Sequence, residues 1–88
     1  MNLTRHTLKK IEHLFEEAGY EIIYEKGQFT SGYCLVEHQR KLVINKFYDV
    51  EGRIQAFLDL FDEVKIDQNN LSPKTSKTYL ELHKLKHK

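Results

Sequence analysis

Apolar residues recur at Leu8, Ile11, Leu14, Phe15 and Ala18, a spacing that gathers them on one helical face. The spacing predicts a first helix from residue 3 or 4 to residue 18. Asn2 and Thr4 are its candidate N-caps and Gly19 stands at C′. Lys9, Lys10, Glu12, Glu16 and Glu17 fall on the opposite, solvated side. The pattern then loses its helical period. Residues 20–25, 33–37 and 41–46 read as three short strands, with Lys26-Gly27 as a turn and His38-Gln39-Arg40 as a short connection. Short connections favour antiparallel neighbours, so a three-stranded meander is expected. Cys34-Leu35-Val36 and Leu42-Val43-Ile44 are apolar without alternation. Such strands are covered on both faces, or bury one face against a partner.

Helical spacing returns at Ile54, Phe57, Leu58 and Phe61, with Asp49 placed to cap a second helix. Residues 64–67 alternate and suit either a short fourth strand or an extended linker; Gln68-Asn69-Asn70 is a turn. Ser72-Pro73 is a helix start, Ser as N-cap and Pro at N1, and the third helix runs to about residue 85. Its apolar seam is narrow: Leu82 and Leu85, with Thr78 or Tyr79. The expected fold is one α+β domain over residues 1–85, in the order α-β-β-β-α-(β)-α, with helices on one face of a small antiparallel sheet. Residues 86–88 form a frayed basic tail.

Size and composition sharpen this picture. Eighty-eight residues make one domain, able to bury roughly 60–65% of its unfolded surface. The chain is 40% hydrophobic and 31% charged, a globular balance. Five Phe and five Tyr are the bulky core material, and a deep pocket for a flavin or dinucleotide would compete with that core; no cofactor is expected. No apolar run reaches the ~18 residues a membrane span needs, and residues 1–10 lack an apolar signal core. The single cysteine, Cys34, makes no internal disulfide, which fits a reducing cytoplasm.

The net charge of +1 hides an asymmetry: residues 71–88 carry +4 and the first 70 carry −3. The basic segment could dock on its own body, a second copy or an acidic partner. As a nucleic-acid binder it is poorly equipped. It has Lys only and one aromatic, Tyr79, while Arg5, Arg40 and Arg53 lie elsewhere, and the pI is about 7.9.

Catalytic and metal chemistry find little support. Cys34 sits among apolar strand residues and reads as a small buried hydrophobe rather than a nucleophile. His6 and His13 are about 10 Å apart along a helix, too far to share a metal. His83 and His87 have the i, i+4 spacing of a zinc pair but no third ligand nearby, beside repelling lysines. The acidic pairs Glu16-Glu17, Asp49/Glu51 and Asp62-Glu63 sit at helix flanks, where acids are solvated or capping. Gly27, Gly32 and Gly52 are isolated, so no phosphate loop exists. The remaining polar strip is Ser31, Tyr33, Asn45, Lys46 and Arg53, at strand ends and the mouth of the second helix. There Lys46 and Arg53 could hold a small anion.

Two resemblances follow from particular residues. Gly19-Tyr20, Tyr24 to Phe29, Ser31 to Cys34, Val43 to Lys46, Glu51 to Ile54 and Leu71 to Lys74 resemble a group of small bacterial proteins without an assigned activity. The order helix, small sheet, helix is similar to the minimal core of zinc-dependent peptidases of the toxin-antitoxin and phage-repressor-cleaving kind. Those carry H-E-x-x-H on the helix after the sheet. Here that helix reads Ile54-Gln55-Ala56-Phe57-Leu58-Asp59-Leu60-Phe61, so only the scaffold could carry over. The sequence thus points to a non-catalytic cytoplasmic protein acting through a homodimer or another protein partner. The alternatives are an anionic-ligand binder or enzyme using the polar strip, and a nucleic-acid-associated protein using the basic segment.

Overall fold

The computed structural model describes residues 2–26 and 33–86, with the backbone alone at 33–37 and 86. Gly27, Ser31 and the tail residues His87 and Lys88 therefore lie outside the described residues, as do the side chains of Tyr33 and Cys34. Helix α1 spans Arg5–Glu17 and is capped by Thr4, whose side chain accepts from the Thr7 N–H. Its apolar stripe of Leu8, Ile11, Leu14 and Phe15 is buried. The helix ends on Gly19, at φ 95°. Gly19 N–H donates to the Glu16 carbonyl and Tyr20 N–H to that of Phe15, each at 3.0 Å. This six-to-one closure needs a left-handed residue, which glycine supplies without a Cβ clash.

Three strands follow: β1 (Glu21–Glu25), β2 (Tyr33–Val36) and β3 (Lys41–Asn45). They do not form the expected antiparallel meander. The sheet order is β1-β3-β2. β1 runs parallel to β3, with Glu21 opposite Lys41 and Glu25 opposite Asn45, while β2 pairs antiparallel to β3. The rule linking short connections to antiparallel neighbours applies to β2 and β3, which residues 37–40 join. It fails for β1 and β2. They are separated by residues 26–32, seven residues, and stepping past one intervening strand requires only about 10 Å. β3 takes the middle of the sheet. Leu42 and Ile44 are fully buried, whereas β1 begins and ends on exposed Glu21 and Glu25, charges that suit an edge.

A second feature draws β3 beside β1. Arg40, at φ 51°, lies immediately before β3. Its Nη2 donates to the Ala18 carbonyl at 2.6 Å and its Nε to Gly19 at 3.2 Å, the carbonyls left open at the end of α1. The guanidinium lies 4.5 Å from the Tyr20 ring centre, and the Arg40 carbonyl accepts from Glu21 N–H at 2.8 Å. One residue thus ties the end of α1, the start of β1 and the start of β3.

Helix α2 (Val50–Glu63) is capped by Asp49, which accepts from the Gly52 N–H. It buries Ile54, Phe57, Leu58 and Phe61, joined by Ala56 and Leu60. Phe57 meets Phe15 of α1 with ring centres 5.3 Å apart. Residues 64–67 form no strand; Val64 and Ile66 extend along the core instead. Helix α3 (Pro73–Lys86) packs on α1, and its Tyr79 ring lies 5.2 Å from that of Phe61 on α2. Leu82, Thr75 and Thr78 are buried, but Leu85 remains exposed, so the seam lacks its expected second leucine.

Glu17 joins α1 to α3, although its place on the outer face of α1 suggests a solvated acid. It accepts from Ser72 N–H at 2.8 Å and from the Thr75 hydroxyl at 2.9 Å. Those two bonds, the Ser72 N–H first, hold its carboxyl below the ordinary glutamate value. A depressed carboxylate stabilises the fold above its unfolded value, and that contribution is lost as pH falls through the folded one. The thermal midpoint of the native chain should therefore fall more steeply in acid than that of Glu17→Gln. Parallel acid limbs for the two proteins would refute the role.

Candidate interaction site at the β3–α2 turn

Between the end of β3 and the start of α2 the chain must reverse within residues 46–49. Asn45 starts the turn: its Oδ1 accepts from Phe47 N–H at 3.0 Å, the local bond for which asparagine is suited, and Tyr48 N–H donates to the Asn45 carbonyl at 3.1 Å. Arg53, one turn into α2, reaches back. Its Nε donates to the Tyr48 carbonyl at 3.0 Å and its Nη2 to that of Lys46 at 2.9 Å. The carbonyls on both sides of Phe47 are thereby fixed by one guanidinium.

Arg53 is itself held in place. It lies 4.5 Å from the centre of the Tyr24 ring, and the Tyr24 hydroxyl donates to the Glu12 carboxylate. Burial first, and the bond to Glu12 second, push the Tyr24 phenol well above its ordinary value, so it stays a donor across the physiological range. The chain of contacts from Glu12 through Tyr24 to Arg53 couples α1, β1 and the turn. It is a supporting network rather than an acid–base pair, since a phenol held protonated neither accepts nor releases a proton near neutrality.

This scaffold presents Phe47. The ring is 70% exposed, the most exposed of the large hydrophobic side chains described. The ammonium groups of Lys26 and Lys46 each lie 6.0 Å from its centre. Of the polar strip, the structure brings Asn45, Lys46 and Arg53 together around this turn. Tyr33 pairs with Ile44 across β2 and β3, and Ser31 lies outside the described residues. The described hydrogen bonds of Asn45 and Arg53 go to the main chain, leaving Lys46 exposed.

Sequence reading counted Phe47 with the other phenylalanines as core material and missed its exposure. The signal available in the sequence was a turn: asparagine at 45 and a capping aspartate at 49 bracket residues 46–48. Among the described residues no group of three His, Cys, Asp or Glu could hold a metal, and no helix is long and apolar enough to cross a membrane. The two resemblances rest on the residues that carry them, for no protein-family model, curated protein or solved structure matches the chain.

Proposed function

We propose that this chain is a non-catalytic interaction protein that engages a protein partner through Phe47 and its two flanking lysines. The observation that carries the reading is the rigid presentation of an exposed aromatic. Four hydrogen bonds, two accepted by Asn45 and two donated by Arg53, fix the backbone around a side chain that contributes little to the core. An aromatic held in advance loses little freedom on docking, and a seated aromatic anchor contributes upwards of about 2 kcal/mol to an interface. Lys26 and Lys46 define the rim: the matching pocket is apolar inside and acidic around its edge.

Phe47→Ala tests this directly, because an exposed side chain can be removed at a stability cost within about 0.5 kcal/mol. Native chain and variant serve as baits against extract from the source cell, at low and high salt. A protein retained by the native chain, released by salt and lost from Phe47→Ala is the expected result. Light scattering on both samples tells a second copy of this chain from a different protein. Equal retention by the two baits, or none by the native one, overturns the reading.

A further inference from the structure

A cavity of about 340 Å³ lies between α1 and α3. From α1 it is lined by His6, Lys9, Lys10 and His13, and from α3 by Lys74, Thr75 and Thr78. The α1 residues sit at i, i+3, i+4 and i+7, so one helix face about 10 Å long presents two lysines flanked by two histidines. No carboxylate lines the cavity. Two acids approach from outside it: Glu81, 3.6 Å from Lys10, and Glu17, 2.7 Å from His13 and engaged by Ser72 and Thr75. The described ion pairs include neither Lys9 nor Lys74.

The opposite wall is unusual for a helix–helix seam. Thr75 and Thr78 are 3% and 2% exposed, where packing alone would favour aliphatic residues, since a buried hydroxyl is costly without a partner. Thr75 donates to Glu17, and Thr78 lines the cavity. The first turn of α3 contains no acid.

We infer that this cavity binds a small oligophosphate, an inorganic triphosphate or the phosphate chain of a nucleotide. Lysine ammonium groups act as point charges toward phosphate oxygens. Lysines on both walls, Lys9 and Lys10 on one and Lys74 on the other, favour a ligand of several negative charges over a single phosphate, and the volume falls at the lower end of small-molecule sites. No aromatic residue lines the cavity, so a base would gain no stacking there. The phosphate chain, not the nucleoside, is recognised.

Titration calorimetry on the whole chain tests this with sodium triphosphate, adenosine triphosphate and a single-stranded RNA oligonucleotide. Triphosphate should bind saturably, with the nucleotide within about threefold of it, and both should weaken with salt. Lys9→Glu with Lys74→Glu should lower both affinities about tenfold or more. Lys26→Glu with Lys46→Glu, the same charge change at the Phe47 turn, should alter them about twofold at most. Both lysines of each pair are exposed, and circular dichroism confirms folding; Lys9→Gln with Lys74→Gln supplies a milder pair. No saturable binding of either phosphate compound overturns the proposal, as does an equal loss in the two double variants. Binding of RNA without triphosphate replaces it with a nucleic-acid surface.

Discussion

Leu82→Ala will loosen α3 from the body and cost about 2–5 kcal/mol, the range for truncating a fully buried leucine. Leu82 is 0% exposed, and it is the only leucine of α3 in that state, with Leu80 and Leu85 exposed. A helix of 14 residues is marginal by itself in water, so its helicity depends on docking. The other contacts cannot substitute: Tyr79 is half-buried against Phe61, and the Glu17 bonds hold only the first turn. For a chain of this length total stability is on the order of 5–13 kcal/mol, so the loss is a large fraction of it. Hydrogen exchange across residues 73–85 is the measurement. It should accelerate strongly in Leu82→Ala and stay unchanged when residues 86–88 are removed. Unchanged exchange in Leu82→Ala would show that α3 does not depend on this anchor.

Helices α1 and α2 were legible in the sequence because each has a wide apolar stripe bounded by capping residues, and α3 because Ser72-Pro73 marks its start. Leu8, Ile11, Leu14 and Phe15 share one face, Ile54, Phe57, Leu58 and Phe61 another, and Thr4, Gly19 and Asp49 mark ends by chemistry that acts within a few residues. Strand order was not legible, because pairing depends on contacts distant in sequence. Nothing local to residues 20–46 states that Arg40 will reach the carbonyls of Ala18 and Gly19, yet that contact helps set β3 beside β1. The same limit hid Glu17, whose partners at Ser72 and Thr75 lie more than fifty residues away. At the candidate site Asn45, Lys46 and Arg53 were singled out for an anion. Their residue types alone could not reveal that Asn45 and Arg53 bond to the backbone and display Phe47. The α1–α3 cavity was hidden for a further reason: Lys9 and Lys10 read as part of a solvated helix face, and His6 and His13 as too far apart for a metal, until α3 is laid across them.

Arg40 offers the second large effect, and it separates two opposing contributions at one position. The side chain donates twice to the end of α1 and lies over Tyr20. Hydrogen bonds from a charged donor contribute about 1.5–3 kcal/mol each when shielded, and a solvent-exposed cation over a ring about 0.5–1 kcal/mol. Arg40 is exposed, so each contact falls below these shielded values and a net loss of about 2–3 kcal/mol is expected for Arg40→Ala. The backbone works the other way. At φ 51° a non-glycine residue carries about 1–2 kcal/mol of steric cost, which alanine retains and glycine removes. Arg40→Gly should therefore unfold at a denaturant midpoint between those of Arg40→Ala and the native chain, despite lacking the same side-chain contacts. Arg40→Lys should resemble Arg40→Ala, because a single ammonium cannot reproduce the two-point fork at Ala18 and Gly19. Equilibrium urea unfolding of the three variants decides the matter. If all three match the native midpoint, the guanidinium does not hold the α1–β1–β3 junction. If Arg40→Gly falls below Arg40→Ala, left-handed strain is not stored at residue 40.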